Sequence, residues 1–113
     1  MAEELVVACL CAAWCTTCGE YRARLEQVQS RLPVATFLWI DIEDEADLVH
    51  PIEVEDFPTL LVAVGSEPRF FGPLTPQPET LERLLRAVGG MPALGDQAVS
   101  ALLQRIRSMP RPA

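Results

Sequence analysis

The stretch Trp14-Cys15-Thr16-Thr17-Cys18 decides how the rest of the chain is interpreted. It follows an apolar run, Leu5 to Cys11, that is typical of a strand buried on both faces of a sheet. It precedes a segment whose apolar residues recur at helical spacing, at Tyr21, Leu25, Val28 and Leu32. The two cysteines are therefore expected where a strand ends and a helix begins.

Cys15 and Cys18 have the spacing of a redox-active pair. Unpaired backbone N–H groups and the positive end of the helix dipole favour a thiolate over a thiol at a helix N-terminus. Cys15 is therefore the expected nucleophile. Cys18, one helical turn further on, can attack Cys15 and close a disulfide, so the pair can alternate between dithiol and disulfide.

The composition limits the classes of function. The chain has 113 residues, half of them apolar, which predicts a single packed domain. The net charge of −7 and the absence of a basic stripe argue against a nucleic-acid surface. No apolar run approaches the ~20 residues of a membrane-spanning helix, and the acidic start lacks the features of a secretory signal. We therefore expect a cytoplasmic protein, where cysteines crowded between positions 9 and 18 indicate catalysis or metal binding rather than structural disulfides.

The central segments predict an α/β fold. A helix from about Cys15 to Leu32 and a second strand from Val34 to Ile40 complete a right-handed βαβ unit with parallel strands. Strands at Thr59–Val64 and Arg69–Phe71 are separated by a Gly- and Pro-containing turn, which predicts a hairpin.

The helices outside this unit are predicted from caps and apolar spacing. Thr75 can cap a helix with Pro76 at its first position, and Gly89-Gly90 can end it. A last helix is expected to begin near Asp96, and a short helix near Ala46 to Val49. We expect one domain over residues 1–90 and a helical extension, residues 91–113, packed on the same domain.

These elements, in this order, resemble the thioredoxin family. The resemblance covers about residues 5 to 88 and depends on two separate motifs, Trp14-Cys15-Thr16-Thr17-Cys18 after a strand and Phe57-Pro58-Thr59 about forty residues later. It implies a three-layer α/β/α sandwich with a four-stranded mixed sheet, to which this chain adds an extra C-terminal helix. It also implies a thiol–disulfide oxidoreductase with no cofactor beyond a redox-active Cys15–Cys18 disulfide, and with no metal.

The resemblance further implies how substrates are bound. Pro58 should be cis beside the cysteines, leaving the backbone of Phe57 free to pair with an extended substrate segment. The implied docking surface consists of Trp14, Thr16, Thr17, Phe57, Pro58, Phe71, Gly72 and Pro73. The implied partners are protein disulfides and an upstream thiol reductase or glutathione, with no nucleic acid and no membrane.

The chain also departs from the family. Thioredoxins usually open with an extra strand and helix, for which this chain has no room. The strand Val34–Ile40 would then be an apolar edge, so we expect either a homodimer through it or coverage by the helix Asp96–Arg107 packing where the first helix would have been. The buried acid of many thioredoxins is replaced by Cys9 and its accompanying lysine by Trp39, and whether water or Glu20 substitutes for the acid stays open.

Thr16-Thr17 replaces the Gly-Pro of ordinary thioredoxins. Hydroxyl groups that donate to the Cys15 sulfur would stabilise the thiolate and hence the reduced protein, which would make it a better oxidant and a weaker reductant.

Two other functions stay open from the sequence. The missing acid and shortened N-terminus are compatible with a non-catalytic thioredoxin-fold binding module. Cys9 and Cys11 are expected to be buried packing residues. Alternatively, Cys11 could exchange with Cys15, or Cys9, Cys11, Cys15 and Cys18 could together bind a soft metal.

Overall fold

The computed structural model describes residues 5–12, 16–32, 35–45, 47, 52, 59–73 and 77–108, without the side chains at 16, 17 and 78. The strands are β1 (Leu5–Cys11), β2 (Ala35–Asp41), β3 (Thr59–Val64) and β4 (Glu67–Pro73). The helices are α1 (Thr16–Arg31), α2 (Pro78–Ala87), which continues into a 3₁₀ turn at Val88–Gly90, and α3 (Gln97–Arg107). Only Asp47 of the predicted short helix near Ala46 to Val49 is among the described residues.

The four strands form one mixed sheet in the order β2-β1-β3-β4. β1 and β2 are parallel, which confirms the predicted βαβ unit, and β3 is antiparallel to both of its neighbours. β3 and β4 form the predicted hairpin, whose turn contains Gly65 with a φ of 62°. This left-handed conformation costs glycine little because it has no Cβ atom.

Six of the seven side chains of β1 are buried, on both faces of the sheet, as the unbroken apolar run predicted. One face packs against α1 and α2 and forms the α1/α2 core, whose buried members are Val7, Cys9, Cys11, Cys18, Tyr21, Leu25, Val28, Leu60, Val62, Leu81, Leu85 and Val88. The other face forms the α3 core, whose buried members are Val6, Ala8, Leu10, Ile40, Leu61, Ala63, Val99, Leu102, Leu103 and Ile106. Two helical layers around a sheet confirm the predicted three-layer sandwich.

α2 begins two residues later than predicted. Its N-cap is Gln77, which provides no side-chain cap, and Pro78 lies in its first turn. Pro76 and Pro78 are equally suitable for a first helical position, so the sequence pattern alone selected the wrong one.

Of the helices in the described ranges, none combines the length and apolarity needed to cross a bilayer.

α3 confirms the predicted C-terminal helix, including its start. The Asp96 side chain caps it by accepting hydrogen bonds from the backbone N–H groups of Ala98, at 2.9 Å, and Val99, at 3.3 Å. The helix covers a face of the sheet.

β2 is an edge strand of the described sheet, as predicted. The homodimer through β2 and the division of the chain at residue 90 stay predictions.

Candidate active site

One end of the sheet gathers the described parts of the predicted site. Cys11 ends β1, and α1 begins five residues later at Thr16. Thr59 begins β3 opposite Leu10, and Pro73 at the end of β4 lies opposite Thr59. The same end of the sheet therefore brings together the carboxyl ends of β1 and β4, the start of β3 and the start of α1.

Cys18 lies in the first turn of α1, is 1% exposed, and forms a disulfide with Cys11. Their Cα atoms are 5.9 Å apart, within the ordinary range for a disulfide. The sequence predicts Cys11 to be a packing residue or an exchange partner of Cys15, and it does not predict the bond to Cys18. Cys15 lies outside the described residues, so the Cys15–Cys18 pair stays a prediction.

Cys9 is a fully buried free thiol beside this disulfide. Its Sγ atom is 3.7 Å from the Sγ atom of Cys11, because residues two apart on a strand face the same side. Loss of hydration on burial raises the pKa of the Cys9 thiol from 9.0 to about 12. Cys9 is therefore a neutral thiol at pH 7 and a poor nucleophile. The predicted burial of both strand cysteines is confirmed.

This pKa predicts how stability depends on pH. Below pH 9, Cys9 is protonated in the folded and unfolded states alike. Between 9 and about 12, only the unfolded chain loses the proton. The free energy of unfolding therefore falls by about 1.4 kcal/mol per pH unit, or about 2 kcal/mol by about pH 10.5.

Denaturant unfolding of the reduced protein near neutral pH and at about pH 10.5 measures this loss. The decrease should be about 2 kcal/mol smaller in Cys9→Ala than in the wild type, since burial, the larger cause of the raised pKa of Tyr21, is present in both. Equal decreases in the two proteins would contradict the assignment of the effect to Cys9.

Tyr21 lies on the apolar face of α1 that the helical spacing predicts, but its side chain carries a hydroxyl group. Its side chain is 1% exposed and lies in the α1/α2 core with the three described cysteines. Within the described part of the chain, its hydroxyl oxygen has no hydrogen-bond partner. Burial raises the pKa of the Tyr21 hydroxyl, and interaction with Cys9 raises it further. In the sequence, the only sign of this buried hydroxyl group is a tyrosine at one of the apolar positions of the helix.

The structure describes two residues that bear on the replacement of the family's buried acid by Cys9. Glu20 is exposed on α1 and so does not join the cysteine cluster. Trp39 lies opposite Cys9 on β2 and packs partly buried against the α1/α2 core. The Arg22 guanidinium carbon lies 5.1 Å from the centroid of the Trp39 ring, a cation–π distance. An aromatic residue thus occupies the position opposite Cys9 on β2.

The predicted docking surface is described only in part. Phe71 and Gly72 are partly buried near the end of β4, and Pro73 is exposed. Phe71 packs against the α3 core, on the face of the sheet opposite the disulfide. Thr16 and Thr17 begin α1. Trp14, Phe57 and Pro58 lie outside the described residues, so the docking surface and the cis form of Pro58 stay predictions.

A metal site would need several free ligands close together. Among the residues that the structure describes, no three His, Cys, Asp or Glu side chains are grouped so that they could hold a metal ion. Cys11 and Cys18 are bonded to each other, so in this form neither provides a thiolate ligand.

A sequence model of the family described as thioredoxin matches residues 1–82, most of the chain. The chain belongs to the thioredoxin family. This thioredoxin-family protein is 26% identical to thioredoxin-1 of Saccharomyces cerevisiae over 99 residues, which cover 88% of this chain and 82% of the yeast protein. The resemblance seen in the sequence is thereby confirmed.

Solved thioredoxin structures have the same fold. Thioredoxin from Trypanosoma brucei brucei superposes with a TM-score of 0.68 at 22% identity, covering 79% of this chain and 78% of that one. Mitochondrial thioredoxin 3 from Saccharomyces cerevisiae, in its oxidised form, superposes with a TM-score of 0.66 at 20% identity, covering 74% of this chain and 80% of that one.

Proposed function

We propose that this thioredoxin-family protein reduces or exchanges protein disulfides through Cys15 and Cys18. The observation that carries the proposal is the position of Cys18, whose sulfur is already part of a disulfide in the first turn of α1. A sulfur at this position is held where the carboxyl end of β1 meets the helix, and Cys15 directly precedes the first residue of α1 in the chain. Membership of the family supports the same chemistry.

The proposed reaction has two exchange steps. The Cys15 thiolate attacks one sulfur of a substrate disulfide, forms a mixed disulfide, and releases the other substrate sulfur as a thiolate. Cys18 then attacks the Cys15 sulfur, so that the second substrate sulfur leaves and a Cys15–Cys18 disulfide forms. A dithiol protein or glutathione returns the pair to the reduced form. The reaction needs no cofactor.

The surroundings of Cys18 affect the second step. Cys18 is buried in the α1/α2 core, where an anionic sulfur is disfavoured. Cys9, in the place of the family's buried acid, is a neutral thiol at pH 7 and cannot accept the proton of Cys18. We propose that the first substrate thiolate released, or solvent, takes this proton as Cys18 attacks.

The alternative is a non-catalytic binding module with the same fold. It is favoured by the bond between Cys18 and Cys11, because a bonded Cys18 cannot resolve a mixed disulfide at Cys15. The two functions differ in turnover: a binding module forms no more reduced substrate than is present without it.

Reduction of insulin disulfides by dithiothreitol distinguishes these functions. The wild-type protein should accelerate the reduction in proportion to its concentration. The same protein should lose this activity after its reduced form is alkylated with iodoacetamide, with the label found at Cys15. A rate equal to that of dithiothreitol alone would reject the oxidoreductase and leave the binding module.

A further inference from the structure

Cys18 takes part in two different disulfides if the proposed function is correct. The proposed reaction ends with Cys18 bonded to Cys15, whereas the structure shows Cys18 bonded to Cys11. A sulfur forms one disulfide at a time, so the two bonds are alternative oxidised forms of the same protein. Both forms contain one disulfide, and an internal exchange converts one to the other without any external oxidant.

We propose that Cys11 is a third redox-active cysteine, which takes Cys18 from the Cys15–Cys18 disulfide and releases Cys15 while the protein stays oxidised. In this step the Cys11 thiol gives up its proton to solvent, and its sulfur attacks the sulfur of Cys18. The Cys11–Cys18 bond forms as the Cys15–Cys18 bond breaks, and Cys15 leaves as a thiolate. Among Cys11, Cys15 and Cys18, one disulfide and one free sulfur are present before and after, so there is no net oxidation.

The burial of the residues favours this direction. Cys11 is fully buried and Cys18 nearly so, among apolar side chains that disfavour an anionic sulfur. A disulfide between them places an uncharged group in this core. The exchange moves the ionisable sulfur to Cys15, which directly precedes α1 in the chain, and the N-terminus of a helix favours a thiolate.

Cys9 lies close enough to be considered for the same role, but the structure leaves it unbonded. Its sulfur lies 3.7 Å from that of Cys11, on the same face of β1. Cys18 is nevertheless bonded to Cys11, which is buried in the same core as Cys9, so position rather than burial selects between the two. Cys9 therefore provides a matched control: a buried cysteine on the same strand, beside the disulfide but outside it.

The consequence is a change in the chemistry of the oxidised protein. With Cys18 held by Cys11, Cys15 is a single reactive thiol without a resolving partner. It can still attack oxidised glutathione or a protein disulfide, but the mixed disulfide persists until the Cys11–Cys18 bond is reduced. The exchange thus converts a dithiol oxidoreductase into a monothiol form.

Differential alkylation of the full chain tests the exchange. Wild type, Cys11→Ala, Cys11→Val and Cys9→Ala are equilibrated in glutathione buffers, quenched in acid, and labelled with N-ethylmaleimide. The disulfides are then reduced and labelled with iodoacetamide. The first arginine is Arg22 and the chain has no lysine, so trypsin leaves all four cysteines in one peptide and fragment ions must locate each label.

In the oxidised wild type and in Cys9→Ala we expect iodoacetamide labels on Cys11 and Cys18, and on Cys15 either N-ethylmaleimide or a glutathione adduct. In both Cys11 variants the iodoacetamide labels should move to Cys15 and Cys18. The valine variant fills the space of the lost side chain, so agreement between the two variants excludes a packing effect. Wild-type protein in which Cys15 and Cys18 carry the iodoacetamide labels in every buffer would overturn the proposal.

The redox equilibrium gives a second measurement. If the Cys11–Cys18 form outnumbers the Cys15–Cys18 form tenfold, Cys11→Ala needs a roughly tenfold more oxidising glutathione buffer for half-oxidation. That shift corresponds to about 30 mV for a two-electron couple. An unchanged midpoint would count against the exchange.

If the proposed function fails, the labelling experiment and the insulin assay give a different pattern from the one expected if only the exchange fails. The Cys11 variants would then form no Cys15–Cys18 disulfide and would not reduce insulin. The exchange would be rejected along with the proposed function, even if wild type still formed the Cys11–Cys18 bond. If the exchange alone fails, both Cys11 variants and the wild type turn over insulin at equal rates through the Cys15–Cys18 pair, with identical labels on those two residues.

Discussion

Replacing Cys18 with alanine is expected to lower the turnover of insulin reduction by roughly 100-fold or more. Cys18 is the sulfur common to both disulfides, the one in the structure with Cys11 and the proposed one with Cys15. Its attack on a mixed disulfide is intramolecular, and well-oriented intramolecular groups act at effective concentrations of ~10⁵–10⁸ M. Millimolar dithiothreitol cannot match this, so Cys15 should still attack substrate but release it slowly.

The accumulation of the mixed disulfide is the measurement that separates loss of resolution from loss of folding. Acid-quenched Cys18→Ala should contain insulin chains bonded to Cys15, detected by mass under non-reducing conditions. Cys11→Ala is the control, because it also loses the Cys11–Cys18 bond but retains Cys15 and Cys18. Turnover by Cys18→Ala within a few-fold of wild type would show that Cys18 does not resolve the intermediate.

The architecture could be predicted from the sequence because its local signals agree with each other. The apolar run of β1 lies between two helical layers and needs no alternation, so Leu5–Cys11 was predicted with the bounds that the structure has. Asp96 combines a good N-cap side chain with an apolar spacing after it, and α3 begins at the next residue. α2 was misplaced by two residues because Pro76 and Pro78 offer the same signal.

The site could be predicted less completely. Sequence spacing identified the cysteines that carry redox chemistry, but it cannot determine which of several neighbouring sulfurs pair. Cys11 and Cys18 are seven residues apart, and they bond because the end of β1 and the first turn of α1 are brought together by the packing of α1 on the sheet. The buried hydroxyl of Tyr21 is likewise a result of packing, since a tyrosine on an apolar helix face is compatible with an exposed hydroxyl group.

Replacing Leu102 with alanine is expected to lower the free energy of unfolding by about 2–5 kcal/mol. Leu102 is fully buried in the α3 core, where α3 packs on the face of β1 and β3 opposite the disulfide. Removal of its side chain leaves a cavity among residues held by the sheet, which cannot collapse fully. Since small domains are stable by about 5–15 kcal/mol, this is a large part of the total. Urea unfolding followed by circular dichroism measures it.

Gln104→Ala is the matched control, an exposed position on the same helix, and should change stability by less than about 0.5 kcal/mol. Equal stabilities of Leu102→Ala and wild type would contradict the packing of α3 as a part of the core.

Trp39 packs against the α1/α2 core, so its fluorescence in a Trp14→Phe background reports on the face away from α3. If fluorescence and circular dichroism change together in Leu102→Ala, the two cores unfold as one unit. Separate transitions would show α3 unfolding independently, as expected of a helical extension that folds apart from residues 1–90.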